Sequence, residues 1–394
     1  DQETAFYMGL LARMILSAVI EGDRRDTATF LNGDTFPRWP ENMRGIWSDR
    51  LKFLEDQLNM FPHERAIDVA RKAISDTCAE FADNPGGIYR LNVPTGGGKT
   101  VTSLAFALRH AVTHGMKRVI YIIPYTSIIE QNAEVFRNIL GSGNVLEHHS
   151  GMEFDLSDGA SPEEIRRALA SENWDMPVVV TTAARFFDSL YANRSSKCRK
   201  LHNLANSVII FDEAQMLPLC HLRPCVAAMA SLAEYVGSTL VLWTATQPSL
   251  SDLLRTYAPG HTVMELCPQT EEIYDRFRRV TFRQAGVLED DALAERLSNH
   301  RQVLCVVNSR RAAQQIFDRL PKEGCFHLST LMIPTQRQAI LEEIRQRLKN
   351  GEPCRVVSTS LIEAGVDVDF PAVYRELAGL DSILQAAGRC NREG

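Results

Sequence analysis

The chain has 394 residues, too many for one ordinary core, so two or three domains are expected. Its 45% hydrophobic and 23% charged content excludes a disordered chain, and a net charge of −6 gives no global basic field, although a local phosphate-tracking groove can sit on an acidic protein. Nine scattered cysteines with no C-x-x-C, and a Cys220–Cys225 pair lacking a matching second half, argue against a zinc site and for reduced thiols in the cytoplasm.

From the N-terminus, apolar side chains at 6, 10, 11, 14 and 15 have helical spacing within residues 4–21. Ala5 to Ile20 is the most apolar part, but Arg13 interrupts it, charges follow and no basic leader precedes it, so no membrane span is expected. This helix must bury a face, and little downstream reads as its partner. Residues 32–62, with Pro37, Trp39, Pro40, Asn42 and Gly45, read as an irregular connection. From residue 63 short apolar strands alternate with amphipathic helices. Strands are expected at 88–93, 118–123, 178–182, 207–211 and 239–243. After an acidic and polar seam near 267–277, a second series is expected at 279–282, 302–307, 325–328, 354–358 and 372–375. The alternation predicts an α/β fold of two parallel sheets with crossover helices. The chain does not begin with Met and stops at Gly394 soon after a motif, as a piece of a longer protein would.

The run Leu91-Asn-Val-Pro-Thr-Gly-Gly-Gly-Lys-Thr100 follows an expected strand and opens a helix at 99–114, the context of a phosphate loop. Thr95, Gly96, Gly97 and Gly98 let backbone N–H groups crowd phosphates, Lys99 reaches the β/γ oxygens of ATP, and Thr100 holds Mg²⁺. Val93 stands where the first Gly of G-x-x-x-x-G-K-T usually does. Phe61 and Arg65 lie upstream where an adenine could stack, and core packing explains Phe61 equally well.

Ser207-Val-Ile-Ile-Phe-Asp-Glu-Ala-Gln215 is an apolar strand ending in two carboxylates. Asp212 is placed to hold the Mg²⁺ water shell, and Glu213 to orient and deprotonate the attacking water. An isolated Asp-Glu after a strand is usually a solvated strand end; the phosphate loop upstream gives this one a role. Gln385-Ala-Ala-Gly-Arg-Cys-Asn-Arg392 sets Arg389 and Arg392 three residues apart, where planar guanidinium groups can neutralise charge developing on the γ-phosphate. His148-His149 invites a metal reading, but adjacent residues on a strand face opposite ways. The basic run Arg194-Ser-Ser-Lys-Cys-Arg-Lys200 could add phosphate contacts, but reads more readily as a solvated loop.

With Thr244-Ala-Thr246 and Val357-Ser-Thr-Ser-Leu-Ile-Glu-Ala-Gly-Val-Asp-Val-Asp369, these segments in this order resemble superfamily 2 helicases over residues 88–394. DEAD-box RNA helicases match less well, because the acidic motif reads Asp-Glu-Ala-Gln and the last motif begins with Gln. Tyr121-Ile-Ile-Pro-Tyr-Thr-Ser-Ile-Ile-Glu-Gln-Asn132, Glu147-His-His-Ser150, Val179-Val-Thr-Thr-Ala183 and the ending Gly-Arg-Cys-Asn-Arg resemble the CRISPR-associated type I helicase–nuclease recruited by the Cascade complex. The resemblance implies coupling roles for Gln215, where many members carry His, and a role for Gln385 in the ATP site. It implies that Gly365 and Asp367 meet nucleotide ribose and nucleic-acid backbone. It assigns backbone phosphates of nucleic acid to Pro124, Tyr125, Thr126, Thr181, Thr182, Asn308 and Ser309. It makes residues 1–30 the tail of an HD-type metal nuclease, whose divalent transition-metal ligands are mostly absent here, with Asp23 as one orphan ligand. Asp23 and Asp26 capping a helix end is the competing reading.

The resulting expectation is two RecA-like lobes with ATP–Mg²⁺ between them: residues 1–30 as nuclease remnant, 31–62 as linker, 63–268 as lobe 1 and 269–394 as a truncated lobe 2. By resemblance the activity is ATP-dependent, 3′-to-5′ movement on single-stranded DNA after Cascade with its crRNA has opened an R-loop. A cytoplasmic monomer with no membrane partner is expected. Another superfamily 2 DNA or RNA helicase, or a nucleotide-gated clamp without turnover, are the alternatives.

Overall fold

A computed structural model describes residues 2–32, 39–40, 42–60, 65–94, 96–124, 126–150, 152, 162–244, 250–268, 270–363 and 366–391. The chain forms two compact units, Asp1–Val93 with Gly97–Ile273 and Pro94–Gly96 with Tyr274–Gly394.

In the first unit the described strands are β1 (Ile88–Asn92), β2 (Arg118–Ile123), β3 (Val145–His148), β4 (Val178–Thr182), β5 (Ser207–Phe211), β6 (Thr239–Thr244) and β7 (Met264–Glu265). They form one parallel sheet in the order β3-β4-β2-β5-β6-β1-β7. Val119-Ile-Tyr-Ile-Ile of β2 and Val208-Ile-Ile-Phe of β5 are continuous apolar runs buried on both faces, as a parallel sheet covered by helices requires. The helices are α1 (Gln2–Asn32), α2 (Arg44–Met60), α3 (Ala66–Glu80), α4 (Lys99–His114), α5 (Thr126–Leu140), α6 (Pro162–Asn173), α7 (Ala183–Tyr191), α8 (Ser195–Cys198), α9 (Leu222–Tyr235), α10 (Leu250–Tyr257) and α11 (Thr270–Arg276).

In the second unit β8 (Gln302–Val306), β9 (Cys325–Leu328), β10 (Cys354–Ser358) and β11 (Val373–Arg375) make a parallel sheet in the order β11-β8-β10-β9. Helices α12 (Asp290–Ser298), α13 (Arg310–Asp318), α14 (Pro334–Lys349) and α15 (Leu380–Ala387) connect it. Leu304, Val306, Val356 and Ile344 centre one apolar cluster, and Val303, Cys305, Ala313 and Ile316 another. Consecutive β8 residues thus alternate between the two clusters, one on each face of the sheet.

Four expectations are corrected. Residues 32–62 are not an irregular connection throughout: Trp47 and Leu54, seven residues apart, are buried on one face of α2, and Trp47 Nε1 donates to Met116 O at 2.8 Å. The Pro- and Asn-rich part ends before that helix begins. Residues 279–282 form no strand, because two apolar residues flanked by Arg278, Arg279 and Arg283 find no ladder partner. Strands β3 and β7 at the sheet edges were not anticipated. Asp23 and Asp26 lie inside α1, which runs on to Asn32, and so do not cap its end. Finally, the 194–200 run is not a solvated loop. Arg199 and Lys200 are buried, with Arg199 ion-paired to Glu21 at 2.8 Å and to Glu172, and Lys200 donating to Glu172 O at 3.1 Å.

That last contact answers what α1 packs on. Leu10, Met14, Ser17 and Glu21 form its buried face. Ser17 Oγ meets His202 Nδ1 at 2.9 Å, and Arg13 donates to Leu190 O at 2.6 Å and to Ala192 O. Among the described residues α1 is the one helix long and apolar enough to cross a membrane, with a mean hydropathy of 1.4. Met8, Ile15, Leu16, Val19, Phe30 and Leu31 are exposed on it.

Candidate nucleotide and nucleic-acid sites

Strand β1 delivers the chain into the phosphate loop, and α4 begins at Lys99. Gly96 and Gly98 have φ of +84° and +76°, a left-handed geometry that costs a side-chain-bearing residue, so glycine is required for this turn. The first N–H groups of α4 have no intrahelical acceptor and carry the positive end of the helix dipole. Thr95 lies outside the described residues.

Lys99 Nζ is buried and has no hydrogen-bond partner among the described residues. Its nearest anion is Glu213 Oε1 at 3.6 Å, and the Trp243 ring centre lies 5.9 Å away. Asp212 follows β5 and Glu213 adopts a left-handed φ of 49°, turning its carboxylate back over the loop. Burial first, and the Glu213 carboxylate next, push the Asp212 carboxyl up to about 7. Tyr121 OH donates to Asp212 Oδ2 at 3.4 Å, Thr100 Oγ1 donates to Asn132 Oδ1 at 3.4 Å, and Gln215 Nε2 donates to Glu213 Oε2. The structure therefore gathers Lys99, Thr100, Asp212, Glu213 and Gln215 at one end of the parallel sheet.

These residues fit ATP–Mg²⁺. An ammonium desolvated without a hydrogen bond is a binding group for phosphate oxygens, and a carboxyl raised by burial and by a neighbouring carboxylate, as Asp212 is, gains from a divalent cation. Sequence reasoning missed Tyr121 and Asn132. Both carried a signal: Tyr121 is the one hydroxyl in an apolar strand, and Asn132 sits between buried Ile129 and Phe136 on the inward face of α5.

Among the nucleic-acid candidates, Thr181 is fully buried and its Oγ1 donates to His148 O at 2.8 Å. Thr182 caps α7, its Oγ1 accepting from Arg185 N at 3.2 Å. Ser309 caps α13 in the same way, accepting from Ala312 N at 3.1 Å. Asn308 is exposed and Pro124 half-buried. Tyr125, the side chain of Thr126, Gly365 and Arg392 lie outside what is described. Asp367 is exposed, and its carbonyl accepts from Arg345 Nε at 3.2 Å. Gln385 is buried. Arg389 is buried too, donating through Nε to Ile362 O at 3.0 Å and through Nη2 to Glu363 O at 2.6 Å.

His148, the last residue of β3, and His149 just beyond it take different partners. His148 Nδ1 accepts from Trp174 Nε1 at 3.0 Å, while His149 Nε2 meets Glu147 Oε1 at 3.0 Å. No group of three His, Cys, Asp or Glu side chains among the described residues could hold a metal ion, and Asp23 is exposed on α1.

A family model for DEAD/DEAH box helicases matches residues 69–253, and one for the C-terminal part of the CRISPR-associated nuclease/helicase Cas3 matches residues 299–394. The chain is 25% identical to the CRISPR-associated nuclease/helicase Cas3 of Haloferax volcanii, over 84% of this chain and 47% of that protein. It is 24% identical to that of Methanothermobacter thermautotrophicus, over 77% of this chain and 38% of the relative. The chain thus spans less than half the length of these relatives. In fold it is similar to T. fusca Cas3 with AMPPNP (TM-score 0.63, 16% identity, covering 87% of this chain and 45% of that one). It is similar also to the DUF1998 helicase MrfA bound to DNA (TM-score 0.56, 16% identity, covering 84% and 47%).

Proposed function

We propose that this chain, a superfamily 2 helicase core of the Cas3 kind, is an ATP-driven motor that moves along single-stranded DNA. In the parent protein it feeds that strand to an HD nuclease domain in type I CRISPR interference, after recruitment by Cascade with its crRNA. The observation that carries the reading is the Lys99 ammonium, buried without a hydrogen bond at the start of α4 beside Asp212 and Glu213. The nuclease/helicase naming of the relatives supports a helicase linked to a nuclease in CRISPR defence, and the single-stranded DNA and Cascade parts rest on the sequence resemblance.

In this reading the loop N–H groups and Lys99 bind phosphate oxygens, and Thr100 and Asp212 hold Mg²⁺. Glu213, held by Gln215, takes the proton of the attacking water. Arg389 and Arg392 supply positive charge to the γ-phosphate. Bound ATP–Mg²⁺ supplies the phosphoanhydride whose hydrolysis drives the motor. Thr182, Asn308 and Ser309, with the backbone after β2, meet the sugar–phosphate backbone without reading bases.

The test is steady-state ATP hydrolysis by the parent-length protein with single-stranded DNA, single-stranded RNA or duplex, beside Lys99→Ala. Stimulation by single-stranded DNA that vanishes in the variant is the expected result. Stimulation by RNA alone would make it a different superfamily 2 helicase, and no turnover with any nucleic acid would leave a nucleotide-gated clamp.

A further inference from the structure

The second unit contains a buried charge pair, Glu363 of the Val357–Asp369 segment with Arg375, that the reading above leaves without a task. The Glu363 and Arg375 side chains are only 4% and 8% exposed, and Arg375 Nε lies 2.6 Å from Glu363 Oε1, an ion pair rather than an aligned hydrogen bond. Burial pushes the Glu363 carboxyl above its ordinary range, and Arg375 is the first group that opposes this. Such a pair is seldom retained for stability alone, because desolvation offsets most of its attraction.

Its position gives it another use. In the sheet β8 lies between β11 and β10. Arg375 ends β11, Asn308 follows β8 and Glu363 follows β10, so the Arg375 side chain crosses the C-terminal end of β8. Its fork divides there: Nε faces Glu363, while Nη1 donates to Asn308 Oδ1 at 2.7 Å and to Glu376 O at 2.8 Å. Asn308 is fixed further by Nδ2 donating to Leu377 O at 2.9 Å and by its own N–H donating to Glu376 Oε2 at 2.6 Å. An amide NH₂ has two hydrogens, so one donor of the exposed Asn308 remains for a phosphate. On the other side, Glu363 offers its carbonyl to Arg389 Nη2 at 2.6 Å. Glu363 is thus gripped by two arginines, one on its carboxylate and one on its carbonyl.

We infer that Arg375 and Glu363 form a positioning relay that ties Asn308 to the backbone holding Arg389, and so sets how strongly nucleic acid accelerates ATP turnover. This rests on the proposal that Asn308 meets nucleic acid and Arg389 the nucleotide. A shift of Asn308 on binding a strand pulls Arg375, and through Glu363 reorients the carbonyls that aim Arg389. Arg375 touches neither ligand.

The experiment uses the parent-length protein and two variants. Arg375→Lys keeps a cation beside Glu363, but a single ammonium cannot fork to Asn308 as well. The double variant Glu363→Gln/Arg375→Gln removes both charges together, so neither is left buried alone. ATP turnover is measured without DNA and across an oligo-dT titration, with thermal unfolding as the check on folding. Expected for both variants is a basal rate close to the parent's and a ratio of stimulated to basal turnover lowered about tenfold. By reciprocity, the gain in DNA affinity caused by a non-hydrolysable ATP analogue shrinks by a similar factor. A folded variant with an unchanged ratio overturns the relay, as does an equal fall of basal and stimulated rates, which marks a purely structural pair. If the parent itself shows no stimulation by oligo-dT, the motor reading fails and the relay with it.

Discussion

Lys99 in the first unit and Arg389 in the second are both nearly buried cations assigned to the same phosphates, yet their surroundings are opposite. Lys99 Nζ has no hydrogen bond among the described residues and faces a carboxylate at 3.6 Å. Arg389 donates to the carbonyls of Ile362 and Glu363 within its own unit. A binding group left short of partners contributes little to folding, whereas one wired to its own backbone serves stability and function together. Loss of activity therefore means different things at the two positions, and melting data separate them.

The largest effect is expected at Arg389. Arg389→Ala removes the guanidinium proposed as an arginine finger, so turnover is expected to fall about 10³-fold. It also removes two charge-assisted hydrogen bonds and leaves buried carbonyls unpaired, so the second unit loses about 2–4 kcal/mol. Lys99→Ala follows, with turnover down about 10²–10³-fold and unfolding free energy within about 0.5 kcal/mol of the parent. ATPase assays and chemical denaturation measure both. Equal destabilisation by the two substitutions would break the contrast.

The same contrast explains what could be read from the sequence. Lys99, Thr100, Asp212 and Glu213 were legible because their spacing between apolar strands and helices is local, and hydrophobic periodicity locates strand ends directly. Nine of the ten expected strands are present. The tenth, 279–282, failed because two apolar residues do not compel pairing when arginines flank them. Helix α2 was hidden because the Pro37–Asn42 cluster drew attention from the seven-residue spacing of Trp47 and Leu54. Arg199, Lys200, Glu363 and Arg375 were not legible as buried at all. Each depends on a partner distant in the chain or on a neighbouring strand: Glu21 lies 178 residues from Arg199, and Arg375 reaches Glu363 only because β8 lies between their strands.

Both units bury titratable groups, and the first buries ion pairs such as Arg199–Glu21 as well as imidazoles. Its imidazoles are held neutral: burial lowers His110 to about 4 and His148 to about 3. The second buries the Glu363–Arg375 pair. A histidine whose folded pKa lies below its unfolded value of about 6.5 contributes stability that is full above that value and is lost progressively as pH falls from there to the folded value. Asp212, pushed up to about 7, works the other way, so the informative quantity is a difference between proteins. From pH 6.5 to 5, wild type should lose about 2 kcal/mol relative to His148→Gln, which cannot titrate. Urea denaturation at both pH values measures it, and parallel pH profiles would show that His148 is not held neutral.

At the smallest scale the units use the same device. Thr182 caps α7 and Ser309 caps α13, each at the exit of a parallel strand and each assigned to the nucleic-acid backbone. Alanine at either position is expected to cost about 1 kcal/mol through the lost cap, and any weakening of DNA binding would be ambiguous. Aspartate resolves it. A carboxylate caps as well as a hydroxyl and suits the positive helix N-terminus, but it repels a phosphate. Ser309→Asp, at an exposed position, should therefore keep the parent's unfolding free energy, and Thr182→Asp, at a position only 6% exposed, should lose some of it to burial of the charge. Oligo-dT affinity should fall in both, measured by fluorescence anisotropy. Full affinity in both would make the two residues caps and nothing more. Loss in one variant alone would assign the proposed strand contact to the helix cap of that unit.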